Sequence, residues 1–514
     1  MFSLVDPNMA VYFALIIPLF GLLGILLADK HPNIREGVTL ATGVATLYMT
    51  VTIFLAVGAG EQPGFEFLEI LPGLSMSFQV EPLGALFGVI ASGLWIVNSL
   101  YSIGYMRGTN EKNQTRFYMC FAIAIMAALG IAYAANLLTF FVFYEALTLS
   151  TFPLVTHKGN EAARKGGSVY LGILLGTSIG LLLPAIILTW VLTGTADFNL
   201  GGILAGRLDA NSPTVFVLLV LYAFGIGKAA LMPIHPWLPN AMVAPTPVSA
   251  FLHAVAVVKA GVFGILKVAI YIFGIDFLAA GSASDWIMWL AAFSILAASM
   301  IAMSQDNLKA RLAYSTVSQL SYVTLGAMLA TSMGAMGGGM QIAMHAVGKM
   351  TLFMCAGAIY VKAHKTLISD MNGLGRAMPL TFGCFFIGAL SIIGLPPLGG
   401  AWAKFFLIVG AADTGQLVII LVLMLSSLLN VVYLLSIPVR AFLWPAPGTT
   451  PAMEKDYYTG NLYTGAGAGN RGKMDEASFF CLMPPVLTAI GCFILFFLAS
   501  DLEAYLAPIM NMGG

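Results

Sequence analysis

Phe224-Gly225-Ile226-Gly227-Lys228-Ala229-Ala230-Leu231-Met232-Pro233, followed by His235-Pro236-Trp237-Leu238-Pro239, is an apolar stretch with a lysine at its centre and helix-breaking residues around it. Residues 213–232 have the length and apolarity of a membrane span. Proline lacks a backbone N–H and glycine tolerates irregular backbone, so the helix is expected to be interrupted beside Lys228. Polar backbone freed at membrane depth has to face protein or a wet path, because lipid offers it no partner. The stretch therefore reads as a broken helix inside a bundle of membrane helices.

The rest of the chain supplies that bundle. Of its 514 residues 59% are hydrophobic and only 9% charged, which excludes a series of soluble domains. A helix needs about 20 apolar residues to cross the hydrocarbon core, and about fourteen such spans can be read: 9–28, 36–57, 81–103, 117–134, 136–156, 168–194, 213–232, 248–274, 287–304, 311–330, 338–361, 379–410, 417–439 and 479–500. Spans this long exceed what barrel strands require, so the fold class is an all-α membrane protein made of one transmembrane domain, 1–514. The first span lacks a basic flank and a small-residue cleavage site and reads as retained. The lipid bilayer is thus the first partner, and no nucleic-acid partner is expected.

Net charge is zero, but the bases are not scattered. Lys30, Arg35, Arg107, Lys112, Arg116, Lys158, Arg164, Lys165, Lys309, Arg311, Lys362, Lys365, Arg376, Arg440, Lys455, Arg471 and Lys473, seventeen of 23, fall in odd-numbered loops. Even-numbered loops hold only Arg207, with Glu61, Glu66, Glu69, Asp197, Asp209, Asp276 and Asp285. The positive-inside rule then places odd loops in the cytoplasm and both termini outside. Cys120, Cys355, Cys384, Cys481 and Cys492 show no metal-ligand or paired spacing, and neither a P-loop nor a dinucleotide fingerprint occurs. No cofactor or metal is expected, so energy must come from an ion gradient or a partner.

Five lysines remain within spans: Lys228, Lys259, Lys267, Lys349 and Lys404, with Glu145 the one mid-span acid. A charge at the bilayer centre costs at least about 2.5 to 3.5 kcal/mol on insertion scales, and such residues face a bundle interior or a wet cavity. Lys267, near the end of its span, has the alternative of snorkelling its head to the interface. Glu145 sits among apolar residues in Phe-Val-Phe-Tyr-Glu-Ala-Leu-Thr, where burial alone favours the neutral acid and a nearby ammonium favours the carboxylate. A Glu145–Lys228 pair is the expectation, and separating its members would release the lysine's proton. A static pair that only fixes packing is the plainer alternative. The 379–410 stretch is too long for one straight crossing and carries Gly394-Leu395-Pro396-Pro397-Leu398-Gly399-Gly400 before Lys404, so helices 7 and 12 are both expected to be broken beside a lysine. Between them, His345 and Lys349 are four apart and share a helix face. His253 and Lys259, six apart, do not. Histidine titrates near neutral pH and suits a proton relay, although a lone helical histidine is commonly a packing residue. His235 and Lys267 are read as support for the same path. Asn430, Gln319 and Ser318 are equally consistent with ordinary interhelical hydrogen bonding.

These motifs resemble a known family: the antiporter-like subunits shared by respiratory complex I, membrane-bound hydrogenases and Mrp-type multisubunit cation/proton antiporters. The resemblance is carried by Phe-Tyr-Glu-Ala-Leu-Thr around Glu145, Gly-Lys-Ala-Ala-Leu-Met-Pro-Ile-His-Pro-Trp-Leu-Pro from Gly227 and His-Ala-Val-Ala-Val-Val-Lys-Ala-Gly from His253. Leu-Lys-Ala-Arg-Leu-Ala-Tyr-Ser-Thr-Val-Ser-Gln-Leu from Leu308 and Gly-Leu-Pro-Pro-Leu-Gly-Gly from Gly394 add to it. It implies two inverted five-helix repeats, 117–274 and 287–439, after three N-terminal helices in 1–103 and before a cytoplasmic loop 440–478 and a last helix 479–500. Glu145 and Lys228 match the family's buried pair, Lys259 its central lysine and Lys404 its terminal proton-exchange residue. The implied proton path runs through Lys259, His345 and Lys349 towards Lys404.

Lys404, the segment from Gly348 to Phe353 and Gly-Leu-Gly-Arg-Ala-Met-Pro from Gly373 look most like the D subunit of Mrp antiporters. Complex I relatives can carry a glutamate at the terminal position, so Lys404 alone does not settle the branch, and the loop 440–478, a candidate partner contact, departs from the family pattern. The implied function is a proton-translocating subunit of a Na⁺ or K⁺/H⁺ antiporter in a prokaryotic cytoplasmic membrane, working with other membrane subunits. The alternative is the proton-pumping membrane arm of a redox complex.

Overall fold

The computed structural model describes residues 5–71, 74–445 and 474–510. Helices α1 (Pro7–Leu27) and α2 (Pro32–Gly58) lead into a β-hairpin, β1 (Gly64–Leu71) and β2 (Leu74–Gln79), and α3 (Pro82–Gly108) returns across the bundle. Next come α4 (Gln114–Ala132), α5 (Leu137–Val155), α6 (Glu161–Thr193), α7 (Pro213–Gly225), α8 (Thr246–Ala254) and α9 (Val257–Lys267). The chain continues through α10 (Ala283–Ser304), α11 (Leu308–Met328), α12 (Ser332–Ala363), α13 (Pro379–Ile393), α14 (Gly400–Asp413), α15 (Leu417–Leu443), α16 (Phe479–Phe497) and α17 (Ala499–Met510).

Local chemistry starts these helices where they start. Proline occupies the first helical position of α1, α2, α3, α7 and α13, where its missing N–H costs nothing. Side chains of Asp6, Glu81, Asn136 and Asn160 accept from the free amides of α1, α3, α5 and α6. Threonines on α2 return their hydroxyls to the carbonyl one turn back, as Thr39 does to Arg35 at 2.9 Å and Thr46 to Thr42 at 2.8 Å, which lets polar residues sit in a membrane helix.

Among the described residues, 11 helices are long and apolar enough to cross a membrane. The α7 and α13 helices, at 13 and 15 residues, are shorter because each is the first half of a broken span. The centre of the bundle is the stretch from Thr246 to Phe273, whose most apolar window is completely buried, together with α12. The α12 helix packs against α3, α8, α11, α13, α14 and α16.

Three expectations change. The span 248–274 is not one helix: it is interrupted at Val255 and Ala256, between α8 and α9, and ends in a π-helical turn from Val268 to Phe273. His253 and Lys259 therefore belong to different helices, because the chain bends where one helix was assumed. The loop after α2 holds regular structure: its alternating Phe65-Glu66-Phe67 and Ser75-Met76-Ser77-Phe78 pair as antiparallel strands, Phe65 opposite Phe78. Residues just beyond 500, outside every expected span, form α17, held by Tyr505 stacked on Phe54 at 4.1 Å. The partner-contact expectation for loop 440–478, with Lys455, Arg471 and Lys473, falls for residues 446–473 outside the described residues.

Candidate proton-path site

The break after α7 is a built feature. Ile226 leaves helical geometry, Gly227–Ala229 form a single tight turn, and Ala230 takes a left-handed conformation at φ 54°. Backbone groups freed by the break find specific partners: the Lys228 amide donates to the Tyr144 hydroxyl at 3.0 Å, and the Trp237 indole donates to the Gly227 carbonyl at 3.0 Å. Gly261 of α9 lies so close that a Cβ there would meet the Lys228 carbonyl oxygen at 2.7 Å. Only glycine permits that approach.

Lys228 is fully buried, and its Nζ donates to the Tyr144 carbonyl at 2.8 Å and the Thr148 hydroxyl at 2.6 Å, over the Tyr144 ring. The expected direct ion pair with Glu145 is absent. Tyr144 and Thr148 lie one turn apart on the face of α5 that meets Lys228, whereas Glu145, one residue on, points about 100° round the helix. It is half-buried between the exposed Val142 and Leu149, and neither carboxylate oxygen has a hydrogen-bond partner among the described residues. The two charges still act on one another electrostatically. Tyr144 and Thr148 were missed in the sequence, although their four-residue spacing in Tyr-Glu-Ala-Leu-Thr was the available signal.

The next members come together at the centre. Lys259 on α9 and His345 on α12, 86 positions apart, meet at 2.7 Å between Nζ and Nδ1, and both are buried. Lys349, one turn on from His345, donates to the Ser315 hydroxyl at 2.6 Å and the Leu312 carbonyl at 3.3 Å on α11, and it feels the charge of Lys259. The anticipated shared face of His345 and Lys349 is real, but each residue is held by a different neighbouring helix.

The second break lies between α13 and α14, where Gly394 adopts φ 90°. Lys404 reaches back across it, donating to the freed Ile393 carbonyl at 2.8 Å and to Ser427 of α15 at 3.0 Å. Each broken helix thus carries a lysine, and each lysine's ammonium bonds one carbonyl and one hydroxyl.

Lys267 does not snorkel. It is 1% exposed, donates to the Ala134 carbonyl at 2.7 Å and stands 3.3 Å from Glu81, whose carboxylate also receives the Tyr271 hydroxyl at 3.2 Å. This cluster lines a cavity of about 400 Å³ together with Glu61 and Gln79. Glu81, at the head of α3, was overlooked because it sits at the boundary of its span. His235 is half-buried in the turn after the first break, 6.1 Å from the Tyr314 ring. His253 lies on α8, and its side chain is outside the described residues. Among the described residues no cluster of three or more metal-ligating side chains occurs, and all five cysteines are free and buried.

Residues 134–430, which hold both broken helices and the five lysines of the spans, Lys228, Lys259, Lys267, Lys349 and Lys404, match the family described as NADH:quinone oxidoreductase/Mrp antiporter, TM. The chain belongs to this family. A relative in this antiporter-like family, NADH-quinone oxidoreductase subunit N of Desulforudis audaxviator, is 30% identical over 84% of this chain and 87% of its own length. A probable K(+)/H(+) antiporter component of Rhizobium meliloti is 30% identical over 66% of this chain and 34% of its own length. The chain spans about half of the longer chain 5 relatives, 49% for the NAD(P)H-quinone oxidoreductase of Synechocystis. Among solved structures, one chain of the Mrp complex from Dietzia superposes with a TM-score of 0.79, 22% identity and 97% coverage of both chains. A chain of the archaeal membrane-bound sulfane sulfur reductase gives 0.82, 21% and 98% of both. The antiporter-like fold is therefore shared across antiporter and respiratory assemblies, and this chain is a multi-pass membrane protein of that type.

Proposed function

We propose that this antiporter-like protein conducts protons within a multisubunit monovalent cation (Na⁺ or K⁺)/H⁺ antiporter of the Mrp type, along Glu145, Lys228, Lys259, His345, Lys349 and Lys404, with His253, His235 and Lys267 in support. The observation that carries it is the Lys259–His345 contact at 2.7 Å, which joins two separate helices at the centre of the bundle. An amine and an imidazole at that distance share one proton between them, which is the chemistry of a relay. The two lysine-bearing breaks fit corresponding places in inverted repeats, 117–274 and 287–439. The loop-charge asymmetry orients the basic loops to the cytoplasm and both termini outside.

The D-like segments around Lys349 and from Gly373 support the antiporter branch. A second reading, the proton-pumping membrane arm of a redox complex, is favoured by the relative named quinone oxidoreductase subunit N. The test is Na⁺- or K⁺-dependent proton flux in vesicles carrying the whole complex. Flux is expected to vanish with Lys228→Ala, and unchanged flux in an assembled Lys228→Ala complex would refute the path. Flavin or iron–sulfur subunits co-purifying with the intact complex would decide for the redox arm.

A further inference from the structure

At the basic-loop end of the bundle, the end of α1 and the starts of α2 and α4 meet round an open cleft of about 550 Å³. The first turns of α2 and α4 line it, and neither has a side-chain cap: His31 before α2 and Asn113 before α4 make no capping hydrogen bond. Uncapped first-turn amides and the positive end of the helix dipole favour an anion. A second observation lies in the same wall. Arg35, one of the bases that the sequence places in a loop, is only 5% exposed on α2. Its Nη1 donates to the Thr115 hydroxyl at 3.0 Å and its Nη2 to the Gln114 side-chain carbonyl at 2.8 Å, while the buried Nε has no hydrogen-bond partner among the described residues. The one carboxylate within 4 Å of Arg35 among the described residues is Glu36, at 3.9 Å, and both oxygens of that carboxylate are already bonded by Arg107. A buried guanidinium without a carboxylate of its own is a costly charge, and its planar fork of donors matches the oxygens of a phosphate.

We propose that this cleft binds the headgroup of a zwitterionic aminophospholipid, phosphatidylethanolamine, with the phosphate held by Arg35, Arg116 and the starts of α2 and α4, and the ammonium by Asp29 and Glu111. The ionisable side chains of the lining carry two charges of each sign: Arg35 and Arg116 against Asp29 and Glu111. That balance fits a headgroup bearing both signs. A bare phosphate, or a lipid whose headgroup is purely anionic, would satisfy the arginines but bring its charge against two carboxylates. The place is right for a lipid, because membrane-spanning helices α1, α2 and α4 all end here. Leu23, Leu26 and Leu27 of α1 and Ile34 of α2 are exposed beside the cleft and offer apolar surface to the acyl chains. Basic pockets between membrane helices on the cytoplasmic side are recurrent headgroup sites. Bound there, the lipid would join three helices of the N-terminal part through one phosphate. The site stands apart from the lysine path and does not depend on it.

The experiment uses the whole complex, purified and delipidated in detergent, and titrates it with phosphatidylethanolamine, phosphatidylglycerol or inorganic phosphate. Melting temperature and the phospholipid retained, read by mass spectrometry, are measured on the same samples. Phosphatidylethanolamine is expected to raise the melting temperature, phosphatidylglycerol to do so more weakly and inorganic phosphate not at all. Arg35→Gln is expected to lower phosphatidylethanolamine affinity by roughly ten- to a hundredfold, the order lost with a hydrogen bond to a charged group. Asp29→Asn, which leaves the buried guanidinium untouched, is expected to shift preference towards phosphatidylglycerol. Should Arg35→Gln fail to assemble, Arg116→Gln, at an exposed position of the lining, carries the same direction. Parental affinity for phosphatidylethanolamine in an assembled Arg35→Gln or Arg116→Gln complex overturns the site. Phosphatidylglycerol matching phosphatidylethanolamine in the parent overturns the zwitterionic assignment, and inorganic phosphate stabilising as well as the lipid overturns the lipid.

Discussion

The contact between Lys259 and His345 offers the sharpest test of how the centre of the molecule works. Lys259 Nζ stands 2.7 Å from His345 Nδ1, and both side chains are buried. Replacing the imidazole by an apolar group, His345→Leu, removes that acceptor from beside the buried ammonium. A hydrogen bond to a charged group contributes about 1.5–3 kcal/mol. At 1.36 kcal/mol per tenfold, a step through protonated Lys259 should slow by roughly ten- to a hundredfold. His345→Gln keeps an acceptor at a similar reach but cannot itself titrate, so it is expected to restore assembly and stability without restoring flux. The assay is the initial rate of proton movement in vesicles at fixed driving force, with complex yield and melting temperature measured on the same preparations. The reasoning fails if His345→Leu assembles and conducts at the parental rate, or if His345→Gln conducts as well as histidine, which would reduce His345 to a packing acceptor.

Two further outcomes follow from the geometry. Gly261→Ala drives a methyl group into the Lys228–Ala229 backbone, and overpacking of this kind costs about 1–3 kcal/mol. Flux should fall with little loss of complex, whereas alanine at the open Gly383 on α13, with nothing within 4 Å, should be silent; equal behaviour of the two variants would remove the close-approach argument. His157, between α5 and α6, is held down to a pKa of about 4 by burial and by neighbouring Arg116. Between about 4 and the ordinary 6.5 the unfolded chain binds a proton that the folded one does not, so stability should rise with pH through that window and be lost as pH falls through it. Melting in detergent from about pH 4 to 7 reads this, and a His157→Gln chain melting with the same pH slope would show that another group is responsible.

Much of this was open to a reader of the sequence. About twenty apolar residues at a time can only be membrane helix, since no other segment satisfies its own backbone in lipid, and glycines and prolines beside Lys228 and Lys404 marked the two breaks. The buried lysines stood out because insertion makes each of them costly. Only the fold decided what those lysines touch. One residue of rotation on α5 turns the expected Glu145–Lys228 ion pair into a lysine bonded to Tyr144 and Thr148, with the carboxylate on the neighbouring face. A helix period assigns faces within a segment but says nothing of which helix lies opposite. For that reason the Lys259–His345 contact and the Glu81–Lys267 pair, assembled from helices far apart in the chain, belong to the tertiary structure. Membership in the bundle, its breaks and its charged interior belong to the sequence.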